Sequence, residues 1–269
     1  MGINPMAKEE SMTEGKKILS FDHLTMAFGG LKVLTDVHFD IEEHEIVSMI
    51  GPNGAGKTTV FNITTGIYQP NRGSVRFCGN ELKNRSTYEI TNMGISRTFQ
   101  NIRLFKDLSV LHNVMIASHQ HYRYNPLQSL LQTKAYRAEE KQQAERCMEI
   151  LGIFGLSHRA QEQAKHLPYG EQRKLEIVRA LATGAKLLLL DEPAAGMNEQ
   201  ETHGLMDLIQ KVQQQFQVTI LLIEHDMKLV MGISHRIIVL HHGEIIAQGK
   251  PEHIRQDKKV IEAYLGKPS

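Results

Sequence analysis

The eight residues Gly51-Pro52-Asn53-Gly54-Ala55-Gly56-Lys57-Thr58 restrict what this chain can become more than any other stretch. They fit G-x-x-x-x-G-K-[ST], follow an apolar run at 45–50 and precede a helix-like run at 60–67 that ends near Gly66 and Pro70. Strand, glycine loop and helix in that order predict an α/β fold. The glycines permit backbone conformations that aim several N–H groups at one anion, and the helix N-terminus adds its dipole. The expected ligand is therefore MgATP, with Lys57 on the β- and γ-phosphates, Thr58 on Mg²⁺ and Thr59 near the α-phosphate. A glycine-rich turn that matches by accident is the bland alternative, and the flanking elements argue against it. The loop alone would also fit a kinase or a GTPase.

Two later apolar runs, 187–190 and 219–223, read as buried parallel strands separated by a helix-like segment at 199–215. The first ends in Asp191-Glu192, which puts two acids at the edge where a parallel sheet exposes its ligands. Asp191 is expected to hold Mg²⁺ through water, and Glu192 to act as general base toward the attacking water. The second run ends in Glu224-His225-Asp226, so His225 should emerge at the same edge, within reach of the γ-phosphate and the water. Gln100 follows an apparent strand at 95–99 and is placed to touch both Mg²⁺ and whatever follows. Read alone, the acid pair could be a helix cap, and any one of 14 histidines is more often a surface or core residue. His241-His242-Gly243 has no such context and reads as a turn.

Strand-like stretches at 18–21, 33–39, 45–50 and 74–77 form the N-terminal part. From 101 to 166 the pattern is helical, with Ala144, Cys147, Met148 and Leu151 at i, i+3, i+4 and i+7. A second amphipathic helix is expected at 171–182, with Leu175, Val178, Leu181 and Ala182 on one face. Thirty-one Lys and Arg against 30 Asp and Glu leave a net charge of +1, so bulk electrostatics does not favour nucleic acid or an anionic bilayer. Cys78 and Cys147 are far apart, without a CxxC, and read as buried or half-buried thiols in a reducing compartment. No run approaches the roughly 18 to 20 apolar residues of a membrane span, so a soluble or peripheral protein is expected. Residues 1–17 are polar and read as a disordered tail.

With Leu167-Pro168-Tyr169-Gly170-Glu171-Gln172-Arg173 between the helical stretch and the acidic strand, residues 16–269 resemble the ATP-binding subunits of ABC transporters. The resemblance implies an ABC-type phosphate-loop ATPase core, a RecA-like parallel sheet, with an N-terminal antiparallel β region and an inserted α-helical subdomain. It divides 18–269 into core (18–100 and 171–250), helical subdomain with signature (101–170) and C-terminal helix (251–269). Phe28 resembles the aromatic that stacks on adenine, Gln100 the Q-loop, 167–172 the signature, Asp191 and Glu192 the Walker B pair, Ala195, Gly196, Met197 and Asn198 the D-loop, and His225 the switch histidine. It also implies two ATP sites in a head-to-tail pair of subunits, each loop at 51–58 closed in trans by the partner's signature. Here the usual Leu-Ser-Gly-Gly-Gln is altered: Pro168 replaces the serine and lacks a backbone N–H, while Gly170 remains.

The strings around Gln100 (94–105), the Tyr169-Gly170 variant, residues 191–198 and 223–232, and the C-terminal 260–266 narrow the resemblance to the LivG-type ATPases of bacterial branched-chain amino acid importers. That implies a peripheral subunit on the cytoplasmic face of the inner membrane. Its partners would be permease subunits, a second ATPase subunit in a homodimer or heterodimer, and indirectly a periplasmic binding protein. Importers of urea, amides or other amino acids, and lipopolysaccharide export, remain open. Ile102, Leu104, Phe105, Leu108, Val110 and Leu111 are expected to form the groove for a permease helix, or else simply the core of the helical subdomain.

Overall fold

Three five-residue runs carry four apolar residues and one polar residue each, because both of their faces are covered. β3 (Ile46–Ile50), β7 (Leu187–Asp191) and β8 (Thr219–Ile223) are buried at every position. In the computed structural model, which describes residues 15–121 and 133–265, they are interior strands of a six-stranded sheet of order β10-β9-β3-β8-β7-β6. The pairs β3·β8, β7·β8, β3·β9 and β6·β7 are parallel, and only the hairpin β9 (Arg236–His241) to β10 (Glu244–Gly249) is antiparallel.

Strand alternation divides the core. Leu188, Leu190, Ile220 and Leu222 face the helical side, packing with Leu175, Val178, Leu205 and Ile209. Leu187, Leu189, Leu221 and Ile223 face the opposite way, toward Val60, Phe61 and the N-terminal strands. There β1 (Lys17–Phe28), β2 (Leu31–Glu42), β4 (Arg72–Phe77) and β5 (Asn80–Glu81) form an antiparallel sheet of order β2-β1-β4-β5. Phe21 and Phe39 pair across β1 and β2 and stack at 4.4 Å, both buried. Each large apolar side chain removed from water in this way contributes about 1.5–3 kcal/mol.

The helices connect the strands. α1 (Lys57–Thr64) follows β3, and α2 (Thr87–Met93) leads through Gly94 to β6 (Ile95–Arg97). α3 (Val110–Ala117) and α4 (Lys134–Ile153) pack against each other and against α5 (Tyr169–Ala182). α6 (Glu199–Phe216) starts from an Asn198–Glu201 capping box, and α7 (Met227–Ile233) from Asp226.

Several expectations are corrected. The loop helix begins at Lys57 and ends at Thr64, not at 60–67, because a helix starting at the lysine leaves its first N–H groups facing the loop. Residues 101–109 are not helical; Ser109 caps α3, and the apolar residues before it pack as an irregular segment. β9 and β10, unread in the sequence, flank a turn at His242-Gly243, which agrees with the turn reading. The boundary drawn at 170/171 falls inside α5. The C-terminal stretch is two helices, α8 (Pro251–Gln256) and α9 (Lys258–Leu265), because Asp257 caps the second and breaks the first. The apolar residues Val260, Ile261, Tyr264 and Leu265, at i, i+1, i+4 and i+5, are expected from the sequence to dock one face on the core; Val260 is buried, whereas Ile261 and Tyr264 stay exposed.

Of the expected polar tail, residues 1–14 lie outside the described residues. Lys17 opens β1 and Lys16 precedes it, and they make ion pairs with Asp40 and Glu43 respectively at 2.7 Å each. Residues 122–132 of the helical stretch and 266–269 also lie outside the described residues. Among the described residues no helix is long and apolar enough to cross a membrane. Cys147 is buried and Cys78 half-buried, both as free thiols.

Candidate active site

The loop at 51–58 bridges the carboxyl end of β3 and the first turn of α1. Gly51 is required by space: a Cβ there would lie 2.0 Å from the Leu240 carbonyl oxygen. Lys57 is buried and folds back on its own loop, its Nζ donating to the carbonyls of Gly51 (2.6 Å) and Pro52 (3.0 Å). Burial lowers its pKa, against the pull of the nearby Glu192 and Asp191 carboxylates. Asn53, Gly54 and Thr58 are exposed, Pro52 is half-buried, and Ala55, Gly56 and Thr59 are buried. A buried cation whose hydrogen bonds, among the described residues, go to carbonyls of its own loop, beside exposed loop residues and a helix N-terminus, is a donor set that fits a polyphosphate. Phe28 is 42% exposed at the end of β1 and meets Tyr68 edge-on at 5.0 Å.

Three side chains from distant parts of the chain meet at Glu192. Its carboxylate accepts from Gln100 Nε2 at 2.7 Å on one oxygen and contacts His225 Nε2 at 2.9 Å on the other. β7 and β8 are adjacent and in register, with Asp191 opposite Ile223, so the residues that follow each strand come together. Glu192 has a left-handed backbone (φ 47) and its N–H donates to Ile223 O at 2.9 Å. For a residue with a Cβ that conformation costs about 1–2 kcal/mol, and strain of this kind concentrates at functional sites.

Asp191 is not free. Arg97 Nη2 lies 2.7 Å from its Oδ2, with both side chains almost wholly buried, and Arg97 Nη1 donates to Asn62 Oδ1 at 2.7 Å. The end of β6 thereby ties the acid of β7 to α1. Glu224 is also buried, accepting from the amides of Ala194 (2.8 Å) and His225 (3.0 Å); burial raises its pKa against those bonds.

The residues of 167–172 stand apart from the loop. Leu167 is buried, Pro168 caps α5, and Gly170 lies beside Glu201. Glu171 pairs with Arg159 at 2.8 Å, and Gln172 donates to Leu167 O at 2.8 Å. Among the described residues no hydrogen bond or ion pair joins this segment to residues 51–59. Tyr169 instead donates to Ala195 O at 2.8 Å, and its ring abuts Gly196; Met197 and Asn198 follow into the α6 cap.

Of the apolar residues after Gln100, Val110 is buried and Leu104 and Leu111 pack on the helical core, while Phe105 and Leu108 remain 46% and 38% exposed. The groove expectation is thus narrowed to Phe105 and Leu108, with Ile102 half-buried, because Leu104, Val110 and Leu111 are used by the core.

Sequence reasoning missed Arg97, Glu224, Arg173 and Glu176. Arg173 and Glu176 are charged residues on the buried face of an amphipathic helix, and that anomaly is a signal that could have exposed them; Arg97 ends a short strand and Glu224 follows one, positions that carry no such signal.

The geometry has counterparts in known proteins. The family model described as "ABC transporter" matches residues 34–195, and that of the "Branched-chain amino acid ATP-binding cassette transporter" matches 244–268. The chain is 47% identical over 251 residues to a high-affinity branched-chain amino acid transport ATP-binding protein, BraF, of Pseudomonas aeruginosa, covering 93% of this chain and 98% of that one. It is 46% identical to LivG of Escherichia coli, with the same coverage. A crystal structure of the ADP conformation of an ATP-binding cassette of an ABC transporter superposes with a TM-score of 0.81 at 31% identity, covering 93% of this chain and 99% of that one. A dimeric cassette in a post-hydrolysis state with ADP and Pi gives 0.71 at 25% identity, covering 87% of this chain and 99% of that one.

Proposed function

Since this chain belongs to the ABC transporter family of ATP-binding cassettes, we propose that it energises a bacterial importer of branched-chain amino acids by hydrolysing ATP at the face described above. The observation that carries the reading is the meeting of Gln100, Glu192 and His225 at one carboxylate beside the buried Lys57. The substrate class rests on the match at 244–268 and on the BraF and LivG relatives.

In this reading the backbone of 51–58, Lys57 and Thr59 hold the phosphates, and Phe28 takes the adenine. Thr58, Asp191 and Gln100 would hold Mg²⁺, which when bound neutralises charge on the β- and γ-phosphates. Phosphate oxygens replace the two carbonyls as partners of Lys57, and burial strengthens that exchange. Glu192 is the general base. Gln100 and His225 each contact one of its oxygens in the resting geometry, and a shift of either turns a lone pair toward water; His225 then faces the γ-phosphate.

Among the described residues, 167–172 make no hydrogen bond or ion pair to their own loop, which supports a role in trans against the loop of a second subunit, with Ala195, Gly196, Met197 and Asn198 at the same junction. Phe105 and Leu108 are the apolar contact offered to a permease helix at the cytoplasmic face of the inner membrane.

Reconstitution with the membrane subunits tests the reading. Glu192→Gln is expected to keep ATP binding and to lower phosphate release about 100-fold or more, and wild-type vesicles should take up leucine, isoleucine or valine. Uptake of urea or amides instead would replace the substrate assignment, and full turnover in Glu192→Gln would remove Glu192 as the base.

A further inference from the structure

α5 carries Arg173, Glu176 and Arg179 at i, i+3 and i+6 of a helix whose other inward residues are apolar. Arg173 is 2% exposed and Glu176 6%. Charged groups are buried this deeply only when paired, and here most of the partners are backbone, although among the described residues Arg173 Nε and Arg179 Nε find none. Arg173 Nη1 donates to Phe99 O at 2.7 Å and Nη2 to Gln100 O. The Arg103 amide donates to Glu176 Oε1 at 2.7 Å, and Arg179 donates to Arg103 O. Arg173 and Glu176 close the set at 3.0 Å.

Four backbone groups of one irregular segment, 99–103, are therefore held by one helix. Loop backbone normally turns to water and moves independently. A buried polar network that bridges helix and segment instead fixes one geometry. The same segment projects Gln100 onto Glu192, while the first residue of α5, Tyr169, holds Ala195.

We propose that Arg173, Glu176 and Arg179 are positioning residues that lock α5 and the Gln100 segment into one rigid body. Contact of the α5 N-terminus with nucleotide on a partner subunit then displaces Gln100 relative to Glu192. The inference rests on the trans role of 167–172 and adds the linkage by which it acts: without the clasp the helix can dock while Gln100 stays behind.

The test uses the full-length chain assembled with its membrane subunits. Arg173→Met frees the carbonyls of Phe99 and Gln100; Glu176→Gln keeps an acceptor for the Arg103 amide and is the variant least apt to disturb folding; Arg173→Lys is the conservative control. Hydrogen exchange is followed on peptides spanning 99–104 and 169–175, with and without ATP, in a Glu192→Gln background. In that background alone both peptides should gain protection together. With Arg173→Met added, 169–175 should still respond while 99–104 does not, and Arg173→Lys should restore part of the joint response. In otherwise wild-type chains, Arg173→Met should lower kcat about tenfold with KM for ATP within about twofold; Glu176→Gln should fall between.

A joint response that survives in both Arg173→Met and Glu176→Gln overturns the proposal, as does a kcat loss that merely follows Tm. If 169–175 shows no ATP response even with the clasp intact, the trans reading itself fails and the proposal with it.

Discussion

Replacing Arg97 by methionine separates a buried ion pair from its surroundings and has a calculable effect. Arg97 and Asp191 are 6% and 8% exposed in their side chains and 2.7 Å apart, so solvent does little to screen them. Truncating one partner of such a pair strands the other charge, at a cost of about 3–5 kcal/mol. Asn62 also loses its 2.7 Å bond from Arg97 Nη1, adding about 1 kcal/mol. Methionine fills much of the stem volume between the rings of Phe61 and Phe99, so the cavity term is small. The total, about 4–6 kcal/mol, corresponds to a fall in Tm of about 10–20 °C in a domain of this size. Urea unfolding of the nucleotide-free chain near neutral pH measures it. Adding Asp191→Asn to Arg97→Met removes the stranded charge and should recover at least about 2 kcal/mol in the cycle. A loss under about 1 kcal/mol, or no recovery in the double variant, would show that the pair behaves like a screened surface bridge and would refute the argument.

Gly243 (φ +80) donates to Ala55 O at 3.0 Å, and a Cβ there would lie 2.4 Å from Val33 O; Gly243→Ala should cost at least about 2 kcal/mol and weaken ATP binding, seen together by urea unfolding and nucleotide titration. Pro168 caps α5 without a side-chain bond; Pro168→Ser supplies an N-cap, should add about 1 kcal/mol of stability and should preserve or raise phosphate release in the assembled complex, so a clear loss of turnover would remove this reading. Phe105→Glu places charge on an exposed ring and should uncouple transport from ATP hydrolysis with Tm nearly unchanged, whereas Leu104→Glu should destabilise the helical core; unchanged assembly and transport in Phe105→Glu would move the permease contact elsewhere. Glu224 has a pKa raised above 4.5 by burial, so its contribution to stability is fully present below the unfolded value and is lost as pH rises through the folded value. The stability margin of wild type over Glu224→Gln should accordingly shrink from mildly acid to alkaline pH in urea titrations, and a margin that grows would contradict the shift.

The sequence alone determined the features whose physics is local. A strand covered on both faces must be almost entirely apolar, which made 187–190 and 219–223 visible, and a phosphate cradle needs glycines and a lysine at fixed spacing, which made 51–58 visible. The order of Gln100, the signature, Asp191-Glu192 and His225 then carried the family resemblance. Only the tertiary structure decided which groups touch. Gln100 and His225 lie 92 and 33 positions from the Glu192 that both contact, and Arg97 lies 94 positions from Asp191. Tyr169 on Ala195, and the clasp of α5 on 99–103, likewise leave no periodic trace, because register between strands and packing between helices set such contacts, and neither repeats along the chain. Asp191 therefore reads in sequence as an open metal ligand, while in the fold its Oδ2 is paired with the buried Arg97, so that only part of the carboxylate is open.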